Sequence, residues 1–80
     1  MHELSIALNI IDIAEGELAR HNGRRVLAIR LRIGSRSAVA KEALDFSFSL
    51  ACEGTAAEGS RLIVDEAEGD DLEIVQMEIE

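Results

Sequence analysis

Between residues 24 and 33 the side chains alternate: Leu27, Ile29, Leu31 and Ile33 are apolar, while Ala28, Arg30 and Arg32 stand between them. A period of two is the mark of a strand with one face toward a core. Gly34-Ser35 ends the run. Any fold for this chain must therefore cover one face of this strand and leave two arginines on the other.

What covers it is legible on either side. Residues 3–21 have helical spacing through Leu4, Ala7, Leu8, Ile11, Ala14 and Leu18. Ile6, Ile10 and Ile13 widen that face, which predicts a helix more than half buried. His21-Asn22-Gly23 supplies a stop, because Asn and Gly tolerate left-handed backbone. Residues 37–51 predict a second helix, with Val39, Ala43, Phe46 and Leu50 on one stripe and Leu44 and Phe48 extending it. Residues 54–60 form a loop. Residues 61–66 and 72–79 predict two further strands, joined as a hairpin by Glu68-Gly69-Asp70. In the last strand the alternation slips. Leu72 and Ile74 share one face, and Val75, Met77 and Ile79 the other, so a β-bulge is expected near Val75-Gln76. The order is αβαββ, an α/β (α+β) fold, with two helices packed on one face of a small three-stranded sheet. The middle β-α-β unit suits a parallel crossover.

Eighty residues allow one domain, spanning 1–80, and no separate catalytic domain. The lone cysteine, Cys52, can form neither an internal disulfide nor a multi-thiolate zinc site. The net charge of −8 argues against nucleic acid or an anionic membrane as partner. The charges are also segregated. Arg20, Arg24, Arg25, Arg30, Arg32, Arg36 and Lys41 follow one another with no acid between, whereas ten acids and one arginine follow from Glu53. Two halves pairing across a sheet is the simpler account, and a basic patch for an acidic partner the other. No basic flank precedes an apolar run at the start, and no apolar stretch approaches the ~20 residues of a membrane span. A soluble, cytoplasmic protein is expected. The small core and hairpin edges leave homo-oligomerisation open.

The chemistry-bearing segment is Met1-His2-Glu3. A terminal amine has a reference pKa of about 7.7–8.0 and histidine one of about 6.5, so both supply neutral nitrogen near pH 7 or lose a proton on binding metal. The amine, the His2 backbone nitrogen and the imidazole can close adjacent chelate rings, with the Glu3 backbone nitrogen or carboxylate as a further donor. Such a nitrogen-rich set suits Ni(II), although Cu(II) is intrinsically favoured by it. Without other information a solvated histidine is the commoner state of such a residue, and Glu3 in a first helical turn also favours the helix dipole. His21 reads as a capping or solvated residue, and Cys52 as a small hydrophobe at a core edge. The acids from Asp65 to Asp71 lack the loop grammar of a calcium site. No nucleophile elbow or phosphate loop occurs, and nothing supports catalysis.

These residues carry a resemblance. Met1-His2-Glu3-Leu4-Ser5-Ile6-Ala7 looks like the opening of the HypA/HybF nickel metallochaperones of hydrogenase maturation. VLAIRLRIG from Val26 to Gly34 resembles the family's first strand. Lys41 to Phe48 resembles its Pro-Glu-x-Leu-x-Phe-x-Phe segment, and GDDLEIVQMEIE its last strand. The resemblance implies Ni(II) as transient cargo, bound by Met1, His2 and Glu3, with a HypB-type GTPase and a hydrogenase large subunit as partners. The chain departs from the family's pattern in three places. The two Cys-x-x-Cys pairs of the zinc domain are absent, with Asp65-Glu66-Ala67-Glu68-Gly69 running directly into the last strand, so no zinc is expected. Lys41 stands where the family usually has Pro, and Ala38 where it often has Gly. A zinc-less interaction module or hydrogenase-associated adaptor without metal delivery is the alternative reading.

Overall fold

The computed structural model describes residues 3–80. Helix α1 spans Glu3–Arg20, strand β1 Val26–Gly34, helix α2 Lys41–Cys52, strand β2 Arg61–Ala67 and strand β3 Leu72–Ile79. The order αβαββ is as expected. The strand neighbours are not. The sheet runs β2-β1-β3, with β1 parallel to β2 and antiparallel to β3. The expected hairpin between the last two strands does not form. Residues 68–71 instead carry the chain past the end of β1, from one edge of the sheet to the other. The physical reason lies in β1. Its side chains at Val26, Ala28, Ile29, Leu31 and Ile33 are buried, whereas β2 and β3 bury theirs only in part. The most apolar strand takes the centre, where both its edges are paired and its inner face is fully covered.

The slip in β3 is a bulge, as its alternation requires. Arg30 lies opposite Gln76 and Leu31 opposite Ile74, so Val75 is the extra residue. Val75 turns outward, and Leu72, Ile74, Met77 and Ile79 all reach the core face. A second irregularity between Val26 and Ala28 bulges Leu27. Leu27 was expected to face inward, yet Val26 takes the core position and Leu27 is only half-buried.

Both helices lie over this face; α1 buries the middle of its expected face, whereas α2 is turned from its expected stripe. In α1 the buried set is Ala7, Ile10, Ile11, Ala14 and Leu18, while Leu4, Leu8 and Ile13 stay about half exposed. In α2 it is Leu44, Phe48 and Cys52, and the expected stripe through Phe46 and Leu50 faces outward, with Phe46 68% exposed. Each helix carries more apolar positions than one face can hold, so spacing alone leaves the phase open. The helix α1 stop is as read from the sequence. Asn22 has φ 53, and Gly23 N donates to Leu18 O at 2.9 Å, a Schellman arrangement.

Residues 37–40 are not helical, contrary to the expected start of α2. Ser37 Oγ accepts from Val39 N at 3.4 Å, Ala38 has φ 62, and Ala40 is extended. A left-handed residue with a Cβ costs ~1–2 kcal/mol, which glycine avoids. After glycine's greater unfolded-state freedom is subtracted, Ala38→Gly is expected to stabilise the fold by about 0.5–1 kcal/mol. A urea midpoint equal to or below wild type would exclude that strain.

The two charge-segregated halves meet across the sheet. Arg30 pairs with Asp65 at 2.9 Å, Arg25 with Glu80 at 3.0 Å and Arg32 with Glu73 at 4.0 Å, while within the acidic half Arg61 pairs with Glu78 at 3.9 Å. Beyond the sheet edge Arg36 pairs with Asp70 at 3.3 Å. All are exposed, and each contributes ~0–1 kcal/mol. Arg25, Arg30, Arg32 and Arg36 thus lie beside acids of the second half, which accords with the simpler account of two halves meeting across a sheet.

Candidate metal centre

Of the candidate ligands, Glu3 is the first residue of α1 as described. Met1 and His2 lie outside the described residues. Glu3 is placed against the start of the other helix. Its Oε2 accepts a hydrogen bond from Ala40 N at 3.2 Å. Ala40 is the N-cap of α2 and has no side-chain acceptor of its own there. The first amides of a helix need an outside acceptor, and a carboxylate is favoured at the positive end of the helix dipole. Glu3 thus anchors the entrance of α1 to that of α2 and contributes to both helices. Ligation of a metal by this carboxylate would compete with the Ala40 bond, whereas ligation through backbone nitrogen would not.

The other candidates take structural roles. His21 Nε2 lies 3.4 Å from Glu17 Oε2, one turn earlier, and His21 N closes the helix on Glu17 O. Glu17 also pairs with Arg20, whose hydrogen bond and charge hold its carboxyl below the usual range. Cys52 is buried, and desolvation pushes its thiol up to about 11, so it remains a protonated, unreactive core residue. Asp65 and Asp70 lie beside Arg30 and Arg36 respectively. Among the described residues no three His, Cys, Asp or Glu side chains gather at metal-binding distances. Sequence reasoning missed the Glu3–Ala40 contact. It joins positions 37 apart in the chain, and only the uncapped Ala40 start could have hinted at it.

A family model described as hydrogenase/urease nickel incorporation, metallochaperone, hypA matches residues 1–72. The chain belongs to the HypA family. It is 48% identical over 66 residues to the hydrogenase maturation factor HypA of Chloroflexus aurantiacus, covering 82% of this chain and 58% of that protein. It is 45% identical over 69 residues to that of Geobacter sulfurreducens, covering 86% of this chain and 60% of that protein. The chain therefore spans a little over half the length of these HypA relatives. The fold matches the solution structure of the Ni metallochaperone HypA from Helicobacter pylori with a TM-score of 0.74, covering 99% of this chain and 93% of that one. At 16% identity this likeness concerns the fold. Among the described residues no helix is long and apolar enough to cross a membrane.

Proposed function

We propose that this chain is a nickel-handling domain that takes Ni(II) at Met1, His2 and Glu3 and passes it to a partner in [NiFe]-hydrogenase maturation. The observation that carries the reading is that the HypA match begins at residue 1, so it includes the chelating start. The chemistry agrees. The amine, the His2 backbone nitrogen and the imidazole belong to successive atoms of one short segment, and close rings without help from distant residues. Ligands at a chain start can also detach one at a time, which suits a protein that must release its cargo.

The family resemblance supports a HypB-type GTPase and a hydrogenase large subunit as partners, and the cytoplasm as the place of exchange. The chain acts by binding rather than by catalysis. Cys52 is not proposed as a metal ligand, since it is buried and its thiol is pushed up to about 11.

The test is calorimetric titration of untagged protein with Ni(II). Wild type is expected to bind stoichiometrically. His2→Ala, or an added N-terminal residue that acylates the amine, is expected to abolish that binding with an unchanged circular dichroism spectrum. Unaltered affinity in His2→Ala would reject the chelate, and metal analysis finding bound zinc would reject the zinc-free reading.

A further inference from the structure

A groove of ≈ 930 Å³ runs beside α1, over the outer part of β3. Its apolar lining comes from Ile6, Ile10 and Ile13 on α1, Val39 before α2, and Leu72 and Ile74 on β3. Leu8 and Ile13 also line it, although they are 50% and 44% exposed. Scattered exposed apolar residues need no explanation, but a concave cluster of this kind in a small domain marks a contact site. The groove exists because two helices are too few to cover three strands on this face.

The charges around it select the occupant. Asp12 stands in the α1 wall and Asp70 in the opposite wall. Asp70 lies beside the exposed Arg36, a pair that contributes little. A second copy of this chain is a poor fit, because it would bring a net charge of −8 against −8. We infer that this groove docks an amphipathic helical segment of a different protein, apolar on one face and flanked by lysine or arginine. Its α1 wall begins two residues after Glu3, so the bound segment lies alongside the first turns of the helix that carries the chain start. Docking requires no nickel. It is measured on metal-free protein, and its failure is separable from failure of the nickel site.

The probe is a synthetic amphipathic Leu/Lys helix, with a Leu/Glu helix of equal length as its charge twin. Binding is followed by amide shifts of isotope-labelled protein. The Leu/Lys helix is expected to perturb residues 6–13 and 72–74 saturably, and the Leu/Glu twin to bind at least about tenfold more weakly. Leu8→Gln and Ile13→Gln leave the net charge unchanged and are expected to weaken binding about fivefold or more. Phe46→Gln, on the outer face of α2, is expected to leave it unchanged. The inference is overturned if neither helix binds, if both bind alike, if the two glutamine variants bind as wild type, or if shifts centre on Phe46. It is also overturned if sedimentation shows a dimer that Leu8→Gln dissolves, since the groove would then hold a second copy.

Discussion

Replacing Gly34 with alanine is expected to cost about 3 kcal/mol of stability, the upper end for forcing extra volume into a packed site. A Cβ at this position would lie 2.3 Å from Gly69 O, 2.5 Å from Gly69 C and 2.9 Å from Asp70 N. All three are backbone atoms, so no side chain can swing away. Relief requires the connection between β2 and β3 to lift as a whole. That connection is tied down by Gly34 N to Asp71 O at 2.7 Å, Ser35 N to Ala67 O at 2.7 Å and Arg36 N to Gly69 O at 2.9 Å. Each such bond contributes ~0.5–1.5 kcal/mol. At ~0.05–0.15 kcal/mol per residue the whole domain has only ~4–12 kcal/mol to lose. Gly16, in the middle of α1, makes the contrast, because nothing lies within 4 Å of its added Cβ. There the same substitution is expected to gain about 0.5–1 kcal/mol from helix propensity. Urea titrations of the two variants should move in opposite directions. A Gly34→Ala midpoint at the wild-type value would show that the connection does not cross where the structure places it.

That crossing also marks the limit of what the sequence discloses about the fold. The five elements, their order and the bulge at Val75 follow from local periodicity, and local periodicity survives folding. The neighbour relation of strands does not follow from it. A short polar connection between two strands suggests a hairpin, and only the greater apolarity of β1 argues that it must be central. Gly34 was the second clue. A glycine at the end of the most apolar strand reads as a stop, whereas it is the one residue small enough to let another backbone pass.

The helix phases were hidden for a different reason. Helical spacing finds positions that can share a face, and α2 offers two such sets: Ala43, Phe46 and Leu50, or Leu44, Phe48 and Cys52. The second is buried, in the same core cluster as Val26, Ile29 and Leu31. For the proposed site, Met1, His2 and Glu3 can be put forward as donors from the sequence alone, because a chelate of consecutive residues is itself a local object. The tie of Glu3 to Ala40 was not, since it depends on where α2 begins.

Phe48→Ala is expected to cost about 3–5 kcal/mol, the range for removing a large buried aromatic. Phe48 is 2% exposed and belongs to the cluster that joins α2 to β1 and α1. A loss of this size approaches the whole stability of a domain of 80 residues, so the variant should be largely unfolded at 37 °C. Phe46→Ala, two residues away on the same helix, removes the same atoms from a side chain already in water, and is expected to change stability by less than about 0.5 kcal/mol. Nickel then separates two pictures of the chain start. A ligand stabilises a fold only to the extent that it binds the folded state better than the unfolded one. The proposed amine, backbone and imidazole donors are local, and can assemble on an unfolded chain as well as on a folded one. Nickel is therefore expected to leave the melting temperatures of wild type and Phe48→Ala nearly unchanged. A strong upward shift, lost in His2→Ala, would mean that the folded domain supplies a ligand of its own. The Glu3 carboxylate, held beside α2 by Ala40, is the first place to look for it.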